Sequence, residues 1–400
     1  MGAAHKERRL SAHVLLAMLC LPTAKSLRTA KGVPAEESTR AGLRSKSVAP
    51  LTDRRCAETW SLFGLHNVAN ASRCPEARWL ERVAARAAVC AVEHARVMVV
   101  GGNKGYDCAG WTRLFSANRD MWLSAAGWRD ALGSANLAML AHNKRACGAC
   151  MQCEVDYPRP PPGLSLSRIQ PPIVDCIEAL PVNARLLAAA SRSSAAWARS
   201  GLGVLHAVGV ESAKAAESTI SFVDAPDDLV GVEQFNVGMR PEGKMRRTRV
   251  AALTIDQLVY GPPLSPAARL ARSAGENISA AGAARKPRPP LVLSIDTEGH
   301  DALVLSGANR TLSSGRLAYI EFEYHSVGEW GHRKLRASIN HLDRKGYDCF
   351  WAGRGTTYRI TGCWTPMYEF HSWSNVVCAH RGAQHACWLD ALEGAHARHR

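Results

Sequence analysis

No stretch of the 400-residue chain stays apolar for the roughly 18 residues that a helical membrane span needs, so a polytopic membrane protein is excluded. Internal repeats are absent, which rules out a solenoid or propeller array. Acidic residues are scarce beside basic ones, 35 against 50, for a formal charge of +15. That excess suits a nucleic acid, an anionic glycan or a phosphate-bearing ligand, and also plain solubility. No zinc-finger, recognition-helix or RNA-stacking signature accompanies it, so nucleic acid is not expected as a partner. The dinucleotide fingerprint G-x-G-x-x-G is missing as well. The glycines Gly101, Gly102 and Gly105 do not supply its spacing, which counts against a nicotinamide enzyme. Apolar material is plentiful: 46% of residues are hydrophobic, enough to build a sizeable core and to exclude a wholly disordered chain.

The N-terminus reads as an address. Lys6, Arg8 and Arg9 precede the apolar run Val14–Leu21, and Ala24 and Ser26 follow in a -3/-1 arrangement. That order is a secretory signal peptide over residues 1–26, with a core too short to span a bilayer. Residues 27–50 are basic and rich in Ser and Ala. They read as a flexible linker or, alternatively, as part of an organellar transit peptide, a reading that Glu36 and Glu37 disfavour. Loss of Cys20 with the signal leaves an even number of cysteines, compatible with disulfides in an oxidising lumen. The sequons at Asn70, Asn277 and Asn309 point the same way.

Residues 51–95 read as an N-terminal helical segment, with Pro75–Ala95 at helical spacing. From residue 96 short apolar strands alternate with helices, the pattern of a parallel α/β sheet. The expected strands are 97–100, 173–177, 204–208, 291–295, 317–322, 347–351 and 375–378. The expected helices are 111–126, 183–198, 301–312 and 335–345. Together they define one doubly wound, seven-stranded, mostly parallel domain over 96–380, followed by a tail over 381–400. Two insertions interrupt it: a Cys/Pro-rich stretch at 127–172 and a Pro/Ala/Gly/Arg-rich loop at 260–290. In the first, Cys147, Cys150 and Cys153 suit either disulfides or, with His142 or another cysteine, a zinc site. Cys56 and Cys74 are placed to pair, and Cys363, Cys378 and Cys387 suggest further bridges.

Ligands of open α/β sheets bind outside the carboxyl ends of the strands. The first strand runs into Gly101-Gly-Asn-Lys-Gly105, a turn that brings backbone N–H groups close to a ligand. The second ends at Glu178, where an acid can take the ribose hydroxyls of a nucleotide-like cofactor. The fourth delivers Asp296, Glu298 and Asp301 together. One acid would cap the following helix, but three repel one another unless a cation or shared protons balance them. The fifth sets Glu321, Glu323 and His325 on one face, with His325 at the tip as a candidate general base.

Asn103-Lys-Gly105, Glu178-Ala-Leu-Pro181, Thr254-Ile-Asp256-Gln-Leu258, Asp296-x-Glu-Gly-x-Asp301 with Val304-Leu-x-Gly-Ala308, and Ile320-Glu-Phe322 occur in an order that resembles the FkbM-type methyltransferases. The likeness covers roughly residues 96–380. It implies a Rossmann-like class I fold and an S-adenosyl-L-methionine-dependent enzyme, usually an O-methyltransferase acting on a hydroxyl or carboxyl group of a small molecule or glycan. Carried over by position, Gly101, Gly102, Asn103 and Gly105 would line the methionine end of the cofactor and Glu178 would hold its ribose. Ala207 would face the adenine. Asp296 and Glu298 would sit where donor and acceptor meet, with His325 or Glu298 as base, and no metal is required. One position departs from the family: Val99 stands where an acid is usual, two residues before the first glycine. That departure motivates the alternative of a methyltransferase-like binding protein that has lost catalysis.

Overall fold

The computed structural model describes residues 53–65, 95–116, 123–136, 172–211, 219–224, 246–261, 288–353 and 356–395, all within one compact unit spanning 50–400. Among them the chain forms a mixed α/β fold around a large, mostly parallel sheet, an arrangement compatible with a Rossmann-like core.

The centre of that sheet is β1 (Arg96–Val100), flanked in parallel by β2 (Ile173–Glu178) and β7 (Val292–Ile295). Its Arg-Val-Met-Val-Val run has no alternation because both faces are buried, as parallel strands covered by helices require. β3 (Leu202–His206) extends the sheet beyond β2, and β8 (Tyr319–Tyr324) extends it beyond β7, both in parallel. Strand order therefore reverses at β1, leaving a crevice between the carboxyl ends of β1 and β7.

Beyond β8 the sheet turns antiparallel through β11 (Ser374–His380), β9 (Tyr347–Gly353) and β10 (Thr356–Arg359). The sheet thus has eight strands rather than the expected seven. β10 is a short edge strand pairing on one side only, so its Thr-Thr-Tyr-Arg sequence carries neither an apolar run nor an alternation. A second sheet also escaped the sequence. The third expected strand breaks at Ala207, and β4 (Val208–Gly209) pairs in parallel with β6 (Arg246–Leu253), which pairs antiparallel with β5 (Thr219–Asp224).

Helices cover both faces of the main sheet. On one side lie α2 (Tyr106–Phe115), α3 (Ala125–Ala135), α4 (Pro181–Ala190) and α10 (Ala386–Gly394), which pack Trp111, Trp128, Leu187 and Trp388 against Val97 and Val99. On the other lie α1 (Asp53–Leu65), α6 (Ile255–Tyr260), α7 (Asp301–Ser306), α8 (Asn309–Ser313) and α9 (Leu335–Arg344), with Phe63, Val304, Leu312 and Ile339 against Met98 and Val100. The short α5 (Ala195–Ala198) leads into β3.

Three described helices fall where none was expected, α6 among them. α3 occupies the start of the 127–172 insertion, and α10 lies in the expected tail with Trp388 and Leu392 fully buried. Residues 75–94 of the expected helix, residues 262–287 of the expected loop, the Cys147/Cys150/Cys153 cluster and the N-terminal leader lie outside the described residues.

Disulfides join Cys56 to Cys363, Cys108 to Cys176 and Cys349 to Cys378, and Cys387 is also disulfide-bonded. Cys56 therefore does not pair with Cys74. Bridges of this kind belong to an oxidising compartment. No helix among the described residues is long and apolar enough to cross a membrane.

Candidate functional site

The glycine turn is built by its neighbours. Gly101 and Gly102 both donate their N–H to the carbonyl of Ile177, at 2.8 and 3.0 Å, which ties the end of β1 to the end of β2. Gly101 has φ 91°, and a Cβ there would lie 1.5 Å from the carbonyl oxygen of Asp296, so only glycine fits. A Cβ on Gly102 would meet Cys176 Sγ at 2.7 Å, so the Cys108–Cys176 bridge forms the floor of the turn. Gly105 caps the N-terminus of α2. Close approach of protein to protein accounts for these glycines before any ligand is invoked.

Asn103 follows in a left-handed conformation, φ 40°. Its N–H donates to Glu178 Oε2 at 2.6 Å, and its side-chain oxygen accepts from Asn183 Nδ2 at 3.2 Å. Glu178 Oε1 accepts from the Leu180 N–H at 2.7 Å. The carboxyl is thereby fixed between turn and helix. Burial pushes it up to about 7 although these backbone bonds pull the other way. Ala207 is buried, and its N–H donates to the Glu178 carbonyl at 3.0 Å. Gly101, Gly102, Asn103, Gly105, Glu178 and Ala207 thus share one end of β1, β2 and β3.

Asp296 joins them from β7, its N–H donating to the Val100 carbonyl at 2.8 Å. Glu298 is held at φ 51°, a conformation that costs a non-glycine residue about 1 kcal/mol or more, and its carboxyl acts on Asp296. Asp301 is fully buried at the start of α7, where it accepts from Thr297 Oγ1 at 3.0 Å and from the Glu323 N–H at 3.2 Å. On the adjacent β8, Glu321 accepts from Ser294 Oγ at 2.5 Å and Tyr319 OH at 3.1 Å. Glu323 accepts from Trp373 Nε1 at 3.1 Å.

Burial first, and then mutual repulsion, sets the charge of this group. Asp296 is pushed well above the usual carboxylate range by burial and by Glu323, Glu298, Asp301 and Asp107 in that order. Burial lifts Asp301 and Glu321 to about 7, and burial together with Asp301 and Glu298 lifts Glu323 to about 8. Asp107, in the first turn of α2, is solvent-exposed yet surrounded by protein, as a side chain lining a cleft is, and its carboxyl is also raised by that surround.

His325 is placed at this site but not as the expected base. Its ring is completely buried and stacks on Trp373, with centroids 4.6 Å apart. Nδ1 accepts from the Val327 N–H at 3.0 Å, and burial lowers the ring's pKa to about 4. The neutral ring therefore keeps its hydrogen on Nε2, which faces Glu323 Oε2 at 3.6 Å. It points its hydrogen toward the acid group without forming a hydrogen bond.

Sequence reasoning missed Asp107 and Trp373. A single acid in a helix's first turn reads as complementing the helix dipole, and nothing local ties Trp373 to β8. Asp256, part of the Thr254–Leu258 motif, proves structural: its carboxylate accepts from the N–H groups of Arg310 and Thr311 at 2.7 and 2.8 Å and so holds α8. Among the described residues no group of three or more His, Cys, Asp or Glu is arranged to hold a metal ion.

Fold and site together define an α/β protein with an acid-lined crevice at its topological switch point. No family model, curated protein or solved structure matches the chain.

Proposed function

We propose that the chain is an S-adenosylmethionine-dependent methyltransferase of the secretory lumen, transferring the methyl group to oxygen on a small molecule or glycan. One observation carries the reading: the Asp296-x-Glu298 turn is packed directly on the glycine turn, through Gly101 against the Asp296 carbonyl. Leaving β10 aside, the main sheet has seven strands with only β11 reversed against its neighbours β8 and β9, which suits the sheet that the resemblance implies.

The donor set fits the cofactor. A sulfonium and an ammonium group call for acids, and Glu298 and Asp107 both lie close enough to act on Asp296. Glu178 is fixed by backbone N–H groups but keeps lone pairs on both oxygens for ribose hydroxyls. Asp107 supplies, from the helix after the turn, the acid that Val99 does not supply from β1. When bound, the cofactor contributes an activated methyl group. The protein's part is to align an acceptor oxygen and to receive its proton.

Calorimetric titration of the full chain with S-adenosylmethionine, and separately with NAD, tests the proposal. Micromolar binding of the first alone is expected, and Asp107→Asn should weaken it about tenfold, the effect of one partly screened ion pair. Binding of neither ligand would favour the alternative, a methyltransferase-shaped binding protein, for which the buried apolar Val99 is the supporting observation.

A further inference from the structure

Asp296 and Glu323 directly follow Ile295 and Phe322, which pair across the parallel strands β7 and β8, so the two acids stand side by side at the ends of neighbouring strands. Two acids set together under burial cannot both ionise cheaply, so they are held with one proton in common. The strongest charges acting on the two groups are further carboxyls: Glu298 and Asp301 from the turn and helix after β7, and Asp107 from α2. Like charges at this range keep the pair protonated.

Two N–H groups oppose that tendency. Trp373 Nε1 donates to Glu323 Oε2, and the buried His325 Nε2 faces the same oxygen without making a hydrogen bond, its own charge being disfavoured by burial and by His371. A buried donor lacking an acceptor is costly, and this one gains its acceptor when Glu323 ionises. Donors from two separate elements thus converge on one oxygen and stabilise its anion.

We infer that Asp296 and Glu323 act as one proton-sharing acid pair, positioned by His325 and Trp373, which releases its proton when a cation enters the crevice and takes one from an uncharged hydroxyl acceptor. The inference rests on the methyltransferase reading and narrows it. In the uptake step the acceptor's O–H bond breaks, its electron pair stays on oxygen, and the proton passes to the ionised pair. A carboxylate acceptor would bring another anion among these acids and has no proton to give. The substrate class is therefore a neutral hydroxyl, such as that of a sugar, rather than a carboxyl group.

The test is calorimetry of the full chain near neutral pH, in two buffers of different ionisation enthalpy, with S-adenosylmethionine and with S-adenosylhomocysteine. Only the first carries charge on sulfur. Roughly half a proton should be released per S-adenosylmethionine and close to none per S-adenosylhomocysteine. Glu323→Gln should lose most of that difference, with Asp296→Asn as the second variant should the first not fold. Equal release for the two ligands, or release unchanged in both variants, overturns the pair while leaving the methyltransferase reading intact.

If neither ligand binds, that reading fails instead. The pair is then judged on the free protein by the infrared band of a protonated carboxyl, expected at neutral pH and weakened in Glu323→Gln; absence of the band overturns the pair. The acceptor class is read from methylation of matched neutral and uronic-acid oligosaccharides. Methyl ester confined to the uronate carboxyl would overturn the hydroxyl assignment.

Discussion

One sheet handles buried charge in two ways. On its antiparallel flank Asp348, with its side chain 5% exposed, sits between Arg359 at 2.6 Å and Arg381 at 2.8 Å. Those arginines reach on to Glu393 and Asp343, so each buried charge meets its opposite. At the carboxyl ends of β7 and β8 the acids instead face acids, and protonation takes the place of pairing. The same flank holds the disulfides Cys56–Cys363 and Cys349–Cys378 and the aromatic contacts of Phe63 with Trp351, Tyr358 and Tyr368. Opposite charges held together are what a scaffold needs. Carboxyls forced together destabilise the fold that carries them, so their presence marks this end of the sheet as the candidate site.

The largest effect expected is a failure of repair. Val99→Asp would introduce the acid usual in the FkbM-type enzymes that the sequence resembles, but Val99 is 1% exposed and packed among apolar side chains. An unpaired carboxylate there should cost about 4 kcal/mol, measured by urea unfolding. Unchanged stability with a gain in cofactor affinity would show that the crevice reaches Val99 after all.

Asp348→Ala follows in size. It leaves Arg359 and Arg381 without their shared partner and should cost about 3 kcal/mol. Asp296→Asn, at the other end of the sheet, should leave stability unchanged or raise it at neutral pH, because the amide stays neutral without having to hold a proton among neighbouring acids. Equal losses in the two variants would erase the contrast.

A smaller effect distinguishes the regions by pH. The folded chain holds protons on Glu178 and Glu321 up to about 7 and on Glu323 up to about 8, while the unfolded chain releases them near 4.5. The folded state therefore binds more protons within that window, and its stability should fall as pH rises through it. Glu321 alone should contribute a decrease on the order of 2 kcal/mol from about pH 5 to about pH 8, and Glu321→Gln should remove that share. A thermal midpoint that rises with pH over this range would contradict the raised acids.

Much of this contrast was legible in the sequence, but on one side more than the other. The glycine turn, Glu178 and the Asp296-x-Glu298 block are contiguous motifs at the ends of continuous apolar strands, so β1, β2, β7 and their acids could be read directly. The convergence of Asp107, Glu323 and Trp373 could not. Each is unremarkable in its own segment, and only the parallel register of β7 with β8 and the return of β11 bring them together. The flank shows the same limit: Cys56 and Cys363 are 307 residues apart, and β10 exists because β9 offers it an edge. His325 shows how far a role depends on surroundings, since its protonation depends on the Val327 N–H and on burial that no strand pattern encodes.

The smallest effect tests whether the acid end is tuned or merely tolerated. Trp373→Phe keeps the ring beneath His325 but removes the 3.1 Å donor to Glu323. A donor to an anion favours the charged form, so without it Glu323 should hold its proton to higher pH. The stability loss should be only about 1 kcal/mol at high pH, where Glu323 is ionised, and smaller at low pH, where it is not. That pH-dependent loss separates an electrostatic role from a packing role, because a cavity or a poorer stack costs the same at either pH. A uniform loss would make Trp373 a core residue that happens to lie beside the acids, and the donors around Glu323 would then be part of the scaffold.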